Sequence, residues 1–304
     1  MQVRLSKLFV PAARMIPTVT RNLVAGALVT GALGVVAFGV LTRPDDRAGP
    51  CGVAHAAQVP EIPEASGLAV SRRHRGIVWS HNDSGHTAML FALDATGRLR
   101  GRVRVPVRTR DWEDVSAARC PAGDCLYIAD IGDNRGNRQR IHVYRVPEPA
   151  LDADETAPPE VFTASYADGA HNAEALFLIG EDIFVVTRER TTAIYRAALP
   201  RSGALDLTLH RVGEFGLGPV TDAEASPDER WVVVRTSKVV AFYRVSEMLR
   251  GGAVRDELRF DIEGLKEPQG EGAALGADGV VYLASEGRPW NRAGRFISLR
   301  CTLP

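Results

Sequence analysis

The sequence predicts an all-β fold, a five-bladed β-propeller of four-stranded blades. A short acidic or small-residue motif opens an apolar strand five times, at intervals of 47 to 61 residues. Self-similarity at a period near 50 is typical of propellers and solenoids. Each copy begins a run of short strands separated by Gly, Pro, Asp or Asn turns. A cysteine stands at each end of this repetitive region, Cys51 before it and Cys301 at its close.

The strands are predicted from runs of β-branched and aromatic residues. The first repeat has strands at 66–71, 76–80, 89–93 and 99–105, and the second at 113–118, 126–130, 141–146 and 161–166. The third has strands at 174–179, 183–187, 193–198 and 207–212. The fourth starts at Glu224 and continues through 231–235, 239–245 and 257–262, with a helical turn at 246–251. The fifth has strands at 273–276, 280–285 and 296–299, and is one strand short.

An N-terminal strand at 53–59 supplies the missing strand of the last blade and closes the ring. This pairing brings Cys51 beside Cys301, and Cys120 and Cys125 flank a predicted hairpin turn, so we expect two disulfides. An even number of cysteines is typical of paired thiols in an exported chain. A zinc site would need further Cys or His ligands close by. The rival fold, two β-sandwiches, explains neither the motif nor the terminal cysteines.

The first 52 residues differ in composition from the rest. Residues 1–22 are basic, 23–42 form an uncharged, mostly apolar run long enough to cross a bilayer, and 43–52 read as a linker. The excess of Arg and Lys before the run places the N-terminus in the cytoplasm. Residues 53–304, the propeller, are then extracellular, either on a signal anchor or secreted after cleavage of a signal peptide. The formal net charge is zero, so nucleic acid is not an expected partner.

The motif places oxygen-bearing side chains at one position of successive blades. In a propeller these first strands line a central channel, so the side chains are expected to form a ring: Ser66, Glu113, Glu174, Glu224 and Glu271. Each pair of carboxylates about 5 Å apart would repel by roughly 3 kcal/mol at an effective dielectric near 20. A cation would relieve this, and Ca²⁺ accepts five protein oxygens plus waters. In the alternative interpretation the glutamates are structural and accept hydrogen bonds from neighbouring blades.

This ring resembles that of the calcium-activated nucleotidases, the secreted apyrases, which are five-bladed propellers with a channel ion. Their ring runs Ser, Glu, Glu, Ser, Glu, and this chain matches it at four positions and departs at Glu224. The resemblance implies bound Ca²⁺ and, with it, nucleotide hydrolysis. A looser similarity exists to lactonases and propeller phytases, which also hold calcium in the channel.

Polar residues collect on one face of the predicted propeller, where first strands begin and second strands end. Loops on a rigid scaffold carry function, so we expect the working face there. The candidate proton-transfer groups are His81, Asp130 and His171. The candidate ligand-binding residues are Asn82, Asp83, Asp111, Asn172, Arg188, Asp222, Arg235, Glu286 and Arg288. The arginines come from three blades and could hold an anionic group.

Two functions fit these residues. One is a calcium-dependent hydrolase of an anionic ester, nucleotide or lactone, in which the ion would activate water. The other is a non-catalytic propeller that binds a small anionic molecule or a surface ligand. Serine-hydrolase chemistry has no support, because the chain has no G-x-S-x-G motif.

Overall fold

The computed structural model describes residues 50–200, 205–287 and 293–304. This part of the chain is all-β, with 21 strands, one short α-helix, α1 (Val245–Arg250), and one 3₁₀ turn (Glu263–Leu265). The helix coincides with the helical turn predicted at 246–251. No helix among the described residues is long and apolar enough to cross a membrane. The predicted segments 1–22 and 23–42, and most of the linker 43–52, lie outside the described residues.

The strands form five consecutive groups along the chain. The first group is β2 (Ala65–Val70), β3 (Ile77–Asn82), β4 (Met89–Asp94) and β5 (Leu99–Arg104). The second is β6 (Trp112–Cys120), β7 (Gly123–Asp130), β8 (Ile141–Pro147) and β9 (Glu160–Tyr166). The third is β10 (Ala173–Ile179), β11 (Asp182–Thr187), β12 (Ala193–Ala198) and β13 (Asp206–Phe215).

The last two groups depart from simple repetition. The fourth is β14 (Val220–Ala225), β15 (Trp231–Thr236), β16 (Val239–Arg244), β17 (Gly252–Val254) and β18 (Leu258–Asp261). The short β17 leaves its own group and pairs with β13. The fifth is β19 (Gln269–Leu275), β20 (Val280–Glu286) and β21 (Gly294–Cys301), completed by β1 (Cys51–Val59) from the N-terminal end.

Within every group, neighbouring strands are antiparallel and follow one another in order across the sheet. The second and third groups merge into one nine-stranded sheet, because their outer strands β9 and β13 pair in parallel. The first strands β2, β6, β10, β14 and β19 lie beside one another in a closed ring. The prediction of an all-β, β-propeller-like fold is confirmed.

Five apolar clusters lie between neighbouring groups and hold the ring together. One of them packs Tyr282 and Phe296 of the fifth group against Leu68 and Val78 of the first. The others join the first group to the second, the second to the third, the third to the fourth and the fourth to the fifth. Strands buried on both faces read as nearly continuous apolar runs, which explains why β15 and β20 lack an alternating pattern.

The N-terminal strand closes the last sheet as predicted. β1 pairs antiparallel with β21, with Cys51 opposite Cys301. Both predicted disulfides are present, Cys51–Cys301 and Cys120–Cys125, and no described cysteine is free. Two disulfides are consistent with an extracellular location.

The two disulfides should differ in their effect on stability. Cys51–Cys301 links residues 250 apart and Cys120–Cys125 links residues five apart. The chain-entropy model gives about 5 kcal/mol for a loop of the first size and about 2 kcal/mol for the second. We expect the double Cys→Ala variant of the first pair to lose more free energy of unfolding in guanidinium titrations. Equal losses from the two double variants would contradict the role of the long bridge in closing the ring.

Candidate functional site

A β-bulge near the start of each first strand builds the site. A bulge leaves one residue out of the ladder and re-aims its side chain. The pairing registers shift once in each of β2, β6, β10, β14 and β19, always close to the strand's beginning. The residues at these shifts are Ser66, Glu113, Glu174, Thr221 and Glu271.

This register corrects one member of the predicted ring. Thr221, not Glu224, is the bulge residue of β14, since the ladder shifts between Val220 and Asp222. The hydrogen bonds agree: Ser66 Oγ donates to the carbonyl oxygen of Glu113 (2.5 Å), and Thr221 Oγ1 donates in the same way to that of Glu271 (3.1 Å).

Glu224 lies three residues further along β14. It accepts hydrogen bonds from Ser116 Oγ (2.6 Å) and from the backbone N–H of Ala117 (3.2 Å). The sequence contained a signal for the correct register, because an Asp follows the bulge residue in both β6 and β14. That Asp is Asp114 in β6 and Asp222 in β14.

A cavity of about 530 Å³ opens where the first strands begin. Four bulge residues line it: Ser66, Glu113, Glu174 and Glu271. Asp83 and Glu286, from the ends of β3 and β20, also line it, as do Asn172 and Arg188. Five carboxyl groups therefore share the wall with one arginine. We call the side of the ring that carries this cavity the cavity face, and the side on which the first strands end the turn face.

Arg188 lies against the ring. Its Nη1 is 3.1 Å from Glu174 Oε2 and 3.9 Å from Glu271 Oε2. The backbone N–H of Arg188 donates to the carbonyl of Asn172, which fixes this arginine beside β10. The guanidinium is about one third exposed, so it remains accessible to a ligand entering the cavity.

Asp83, Asp111 and Glu113 form the tightest acidic cluster, with one carboxylate oxygen of each within 4.8 Å of the others. Gly132 lies against the cluster, and a Cβ there would fall 2.0 Å from Glu113 Oε1 and 2.4 Å from Asp111 Oδ2. A side chain at this position would therefore displace both carboxylates from the positions they hold. Carboxylate oxygens at this spacing are the ligands that hard divalent cations prefer.

Burial and mutual repulsion raise the pKa values of these acids. Burial raises the pKa of Asp83 to about 6 and that of Glu286 to about 7. The pKa of Glu113 lies well above its usual range because the carboxyl is buried beside Glu174 and Asp83. The pKa values of Asp111 and Glu271 are also raised, mainly by burial. Without a cation the site retains protons near neutral pH.

Two of the candidate proton-transfer groups are buried in the protein interior and paired with protein groups. His81 is fully buried, its Nδ1 is 2.9 Å from the carbonyl oxygen of Asn82, and burial lowers its pKa to about 4. Asp130 is also buried and pairs with the buried Arg138 (2.6 Å). Neither residue lines the cavity among the described residues. Asp130 instead shapes the loop before β6 by accepting the backbone N–H of Asp111 (3.2 Å).

His171 lies behind the cavity wall in a polar cluster. Its Nδ1 is 2.8 Å from Glu189 Oε1, and its Nε2 is 2.8 Å from the Tyr195 hydroxyl and 3.2 Å from Asp168 Oδ1. The neighbouring residue of each loop faces the cavity, Asn172 beside His171 and Arg188 beside Glu189. The histidine therefore ties together the two loops that position these lining residues.

Two of the remaining predicted ligand-binding residues, Asn82 and Arg235, do not line the cavity. Arg235 is fully buried, pairs with Glu267 (2.5 Å) and donates to the carbonyls of Gly272 and Ala284. Its guanidinium therefore braces β19 instead of facing the cavity. Asn82 accepts the backbone N–H of Glu64 (3.0 Å). Arg288 lies outside the described residues.

Asp222 belongs to a second acidic layer inside the channel, with Asp114 and Glu224. Each of the three carboxylates accepts a backbone N–H from another strand group: Leu176 to Asp114, Ala273 to Asp222 and Ala117 to Glu224. Burial raises the pKa of Asp222 to about 7 and those of Asp114 and Glu224 well above their usual range. Sequence reasoning placed Asp222 on the working face and did not single out Asp114.

Comparisons with known proteins support the fold and leave the chemistry open. No protein-family model matches the chain, and no curated protein is significantly similar in sequence. Among solved structures, the chain is similar to the PQQ-bound form of aldose sugar dehydrogenase from Streptomyces coelicolor. The TM-score is 0.50 and the identity 12%, over 84% of this chain and 99% of that one. At this identity the likeness shows a β-propeller-like fold alone.

A second solved structure, the hydrazine synthase of Kuenenia stuttgartiensis, gives a TM-score of 0.38 and 15% identity. The match covers 76% of this chain and 58% of that one. This score is too low to support an argument.

Acidic groups with raised pKa values should make the calcium-free fold less stable as pH rises. Such a group stabilises the fold below its unfolded-state pKa, and the contribution is lost as pH rises through the folded-state pKa. For Asp83, Asp222 and Glu286 these folded-state values are about 6, 7 and 7. With chelator present, we expect the melting temperature to fall between pH 5 and pH 8. A melting temperature that rises over this range would contradict the crowding of the channel acids.

Proposed function

We propose that this chain is an exported five-bladed propeller that binds one Ca²⁺ ion at the mouth of its channel. The observation that carries the proposal is the convergence of Ser66, Glu113, Glu174 and Glu271 on one cavity that Asp83 also lines. The bulges aim these side chains inward, and their mutual repulsion favours a bound cation. Asp111 adds a further carboxylate next to Asp83 and Glu113.

The donor chemistry favours calcium over other common ions. The lining residues named above offer oxygen ligands of mixed type, which suits the six to eight oxygens that Ca²⁺ takes in flexible geometry. Mg²⁺ demands a tighter octahedron, and Zn²⁺ prefers His or Cys, neither of which lines the described cavity. The corrected ring, with Thr221 in β14 of the fourth group, also carries a hydroxyl where the apyrases have one. This agreement supports the calcium proposal.

PQQ, the group bound by the aldose sugar dehydrogenase, would meet an acidic wall in this cavity and, like any other anion, would need the bound cation to enter it. PQQ carries three carboxylates of its own, and the wall presents five carboxyl groups against the single guanidinium of Arg188. Burial, reinforced by neighbouring acids, raises the pKa values of Asp83 and Glu286. At 12% identity the fold likeness by itself assigns no quinone chemistry to this chain.

We further propose that the cavity binds an anionic ester, nucleotide or lactone and hydrolyses it. A bound calcium ion would polarise an ester or phosphoryl oxygen and lower the pKa of water. Arg188 is placed to hold the anionic group, since its guanidinium lies at the edge of the ring and is partly exposed. His171 would act as a positioning residue, because it braces the loops that carry Asn172 and Arg188.

A second candidate function is a non-catalytic propeller that binds a small anionic or surface ligand through the same ion. One observation favours it: none of the predicted proton-transfer groups His81, Asp130 and His171 lines the cavity. The two functions differ in turnover and not in calcium binding, so one preparation can be tested for both.

Substitutions of the cavity carboxylates and of the deeper carboxylate of Glu224 should differ in their effect on Ca²⁺ affinity. We expect Glu113→Gln and Glu174→Gln each to weaken Ca²⁺ binding at least tenfold, because each removes a charged ligand. Glu224→Gln is the matched control, since Glu224 is buried away from the cavity. Isothermal titration of the full chain in an uncharged detergent measures all three. Loss of binding in Glu224→Gln alone would place the ion in the deeper layer and reject the corrected ring.

Stability gives a second readout of the same ion. A ligand at 100 times its dissociation constant stabilises the native state by about 2.7 kcal/mol. Wild type should therefore melt at a higher temperature with calcium than with chelator, and Glu113→Gln should show a smaller difference. An unchanged melting temperature, with no calcium found by elemental analysis, would make the ring structural.

Hydrolysis is tested with a panel of nucleotides, phosphomonoesters and lactones, with and without calcium. If the chain is a hydrolase, Arg188→Ala should mainly raise KM, because a uniform contact with the anion is lost. His171→Ala should lower activity by loosening the loops that carry Asn172 and Arg188, and should cost about 1 kcal/mol of unfolding free energy, because its hydrogen bonds to Glu189 and Tyr195 are lost. Calcium binding with no turnover on any anionic ester or lactone would establish the binding propeller instead.

A further inference from the structure

A second charged cavity, of about 450 Å³, lies on the turn face. Its charged lining residues are Arg72, Arg73, Arg75, Arg119, Asp124 and Asp278. Three of the arginines come from the turn between β2 and β3, and Arg119 comes from the end of β6. Four guanidinium groups against two carboxylates leave the wall positive, the reverse of the cavity on the other face.

A buried carboxylate holds the arginine turn rigid. Glu148 is 1% exposed and accepts the backbone N–H groups of Arg72 (3.2 Å) and Arg73 (3.0 Å). It also accepts the hydroxyl of Ser71 and the indole N–H of Trp79 (2.8 Å). This turn is therefore fixed by hydrogen bonds before any ligand arrives, which lowers the entropic cost of binding.

The arginines of the turn differ in how far they are already paired. Arg72 Nη1 donates to the carbonyl of Pro227 (3.0 Å). Its buried Nε has no hydrogen-bond partner among the described residues and lies 3.6 Å from Asp124 Oδ1, which also lacks one. Arg75 is exposed and forms no ion pair within the described part of the chain. Arg119 Nε also lies 3.4 Å from Asp124 Oδ1, and Arg73 Nη1 donates to the carbonyl of Glu148 (2.7 Å). The exposed guanidinium of Arg75 is therefore the group that the cavity offers most directly to a ligand.

We propose that this cavity binds a phosphate group, and that the group belongs to an anionic phospholipid. Guanidinium groups match the oxygens of a phosphate in charge and in planar fork geometry. Phosphate diesters keep their charge throughout the physiological pH range. The proposal is independent of the calcium site, because the two cavities lie on opposite faces.

The exit of the chain from the propeller favours a lipid as the source of the phosphate. Pro50 lies on the turn face, since its carbonyl accepts the backbone N–H of Thr302 just after β21 ends. Residues 43–50 join it to the apolar run predicted to cross the membrane, and eight extended residues reach no more than about 28 Å. If that run anchors the chain, the turn face would be held within this distance of the headgroups.

The test compares melting temperatures of the full chain in nanodiscs of phosphatidylglycerol and of phosphatidylcholine. Wild type should melt higher in phosphatidylglycerol, because a ligand that binds only the native state stabilises it. The difference should shrink in Arg75→Gln and vanish in the Arg72→Gln, Arg75→Gln double variant. Each variant is compared with itself in the two lipids, so a general loss of stability does not mimic the effect. Arg102→Gln, which removes an exposed arginine of β5 outside the cavity, is the matched control and should keep the difference.

Inorganic phosphate and glycerophosphoglycerol, titrated into the chain in an uncharged detergent, distinguish the sources. Glycerophosphoglycerol should bind, and Arg75→Gln should weaken it about tenfold, as expected for loss of one charged hydrogen-bond donor. Binding of inorganic phosphate without stabilisation in phosphatidylglycerol nanodiscs would reject the lipid source. Equal melting temperatures in the two lipids together with no binding of either phosphate would overturn the site itself.

Discussion

The structure depends on one constraint: the backbone N–H groups that line the channel must find hydrogen-bond acceptors. The first strand of each group has a sheet partner on one side only, so its inward-facing amides need other acceptors. Buried carboxylates supply them: Asp114 accepts from Leu176 of the third group, and Asp222 from Ala273 of the fifth. These bonds cross from one strand group to another. The same acids that satisfy the backbone therefore also tie the ring together.

This solution makes the channel acidic, and the cavity above it adds five more carboxyl groups. The deep carboxyls accept hydrogen bonds from amides, which offset part of their desolvation. Glu113 at the cavity mouth is itself buried and has acidic neighbours in Glu174 and Asp83, and its pKa is raised well above the usual range. Arg188 compensates only part of this charge. A divalent ion at the mouth would reduce the repulsion between these carboxylates, because the amides deeper in the channel are too far away to do so.

Much of the fold could be predicted from the sequence, because the motif, the turns and the terminal cysteines all depend on local pattern. The register of the fourth first strand could not. A bulge is a property of pairing between two strands, and Glu224 matched the acidic consensus more closely than Thr221 did. The burial of His81 and Arg235 could not be predicted from local sequence pattern either. Each is buried by residues far away in sequence, such as Trp112 beside His81 and Glu267 beside Arg235.

The side chains at the bulges, and not the fold, decide what chemistry this chain can support. A propeller-like fold is shared with a PQQ-bound sugar dehydrogenase at 12% identity, yet the two need share no residue at the channel mouth. Here a glycine, Gly132, permits the approach of two carboxylates that any side chain would separate. The loops that frame the cavity are in turn fixed by buried pairs such as Asp130 with Arg138. A scaffold this rigid holds like charges together, and their repulsion favours a bound cation.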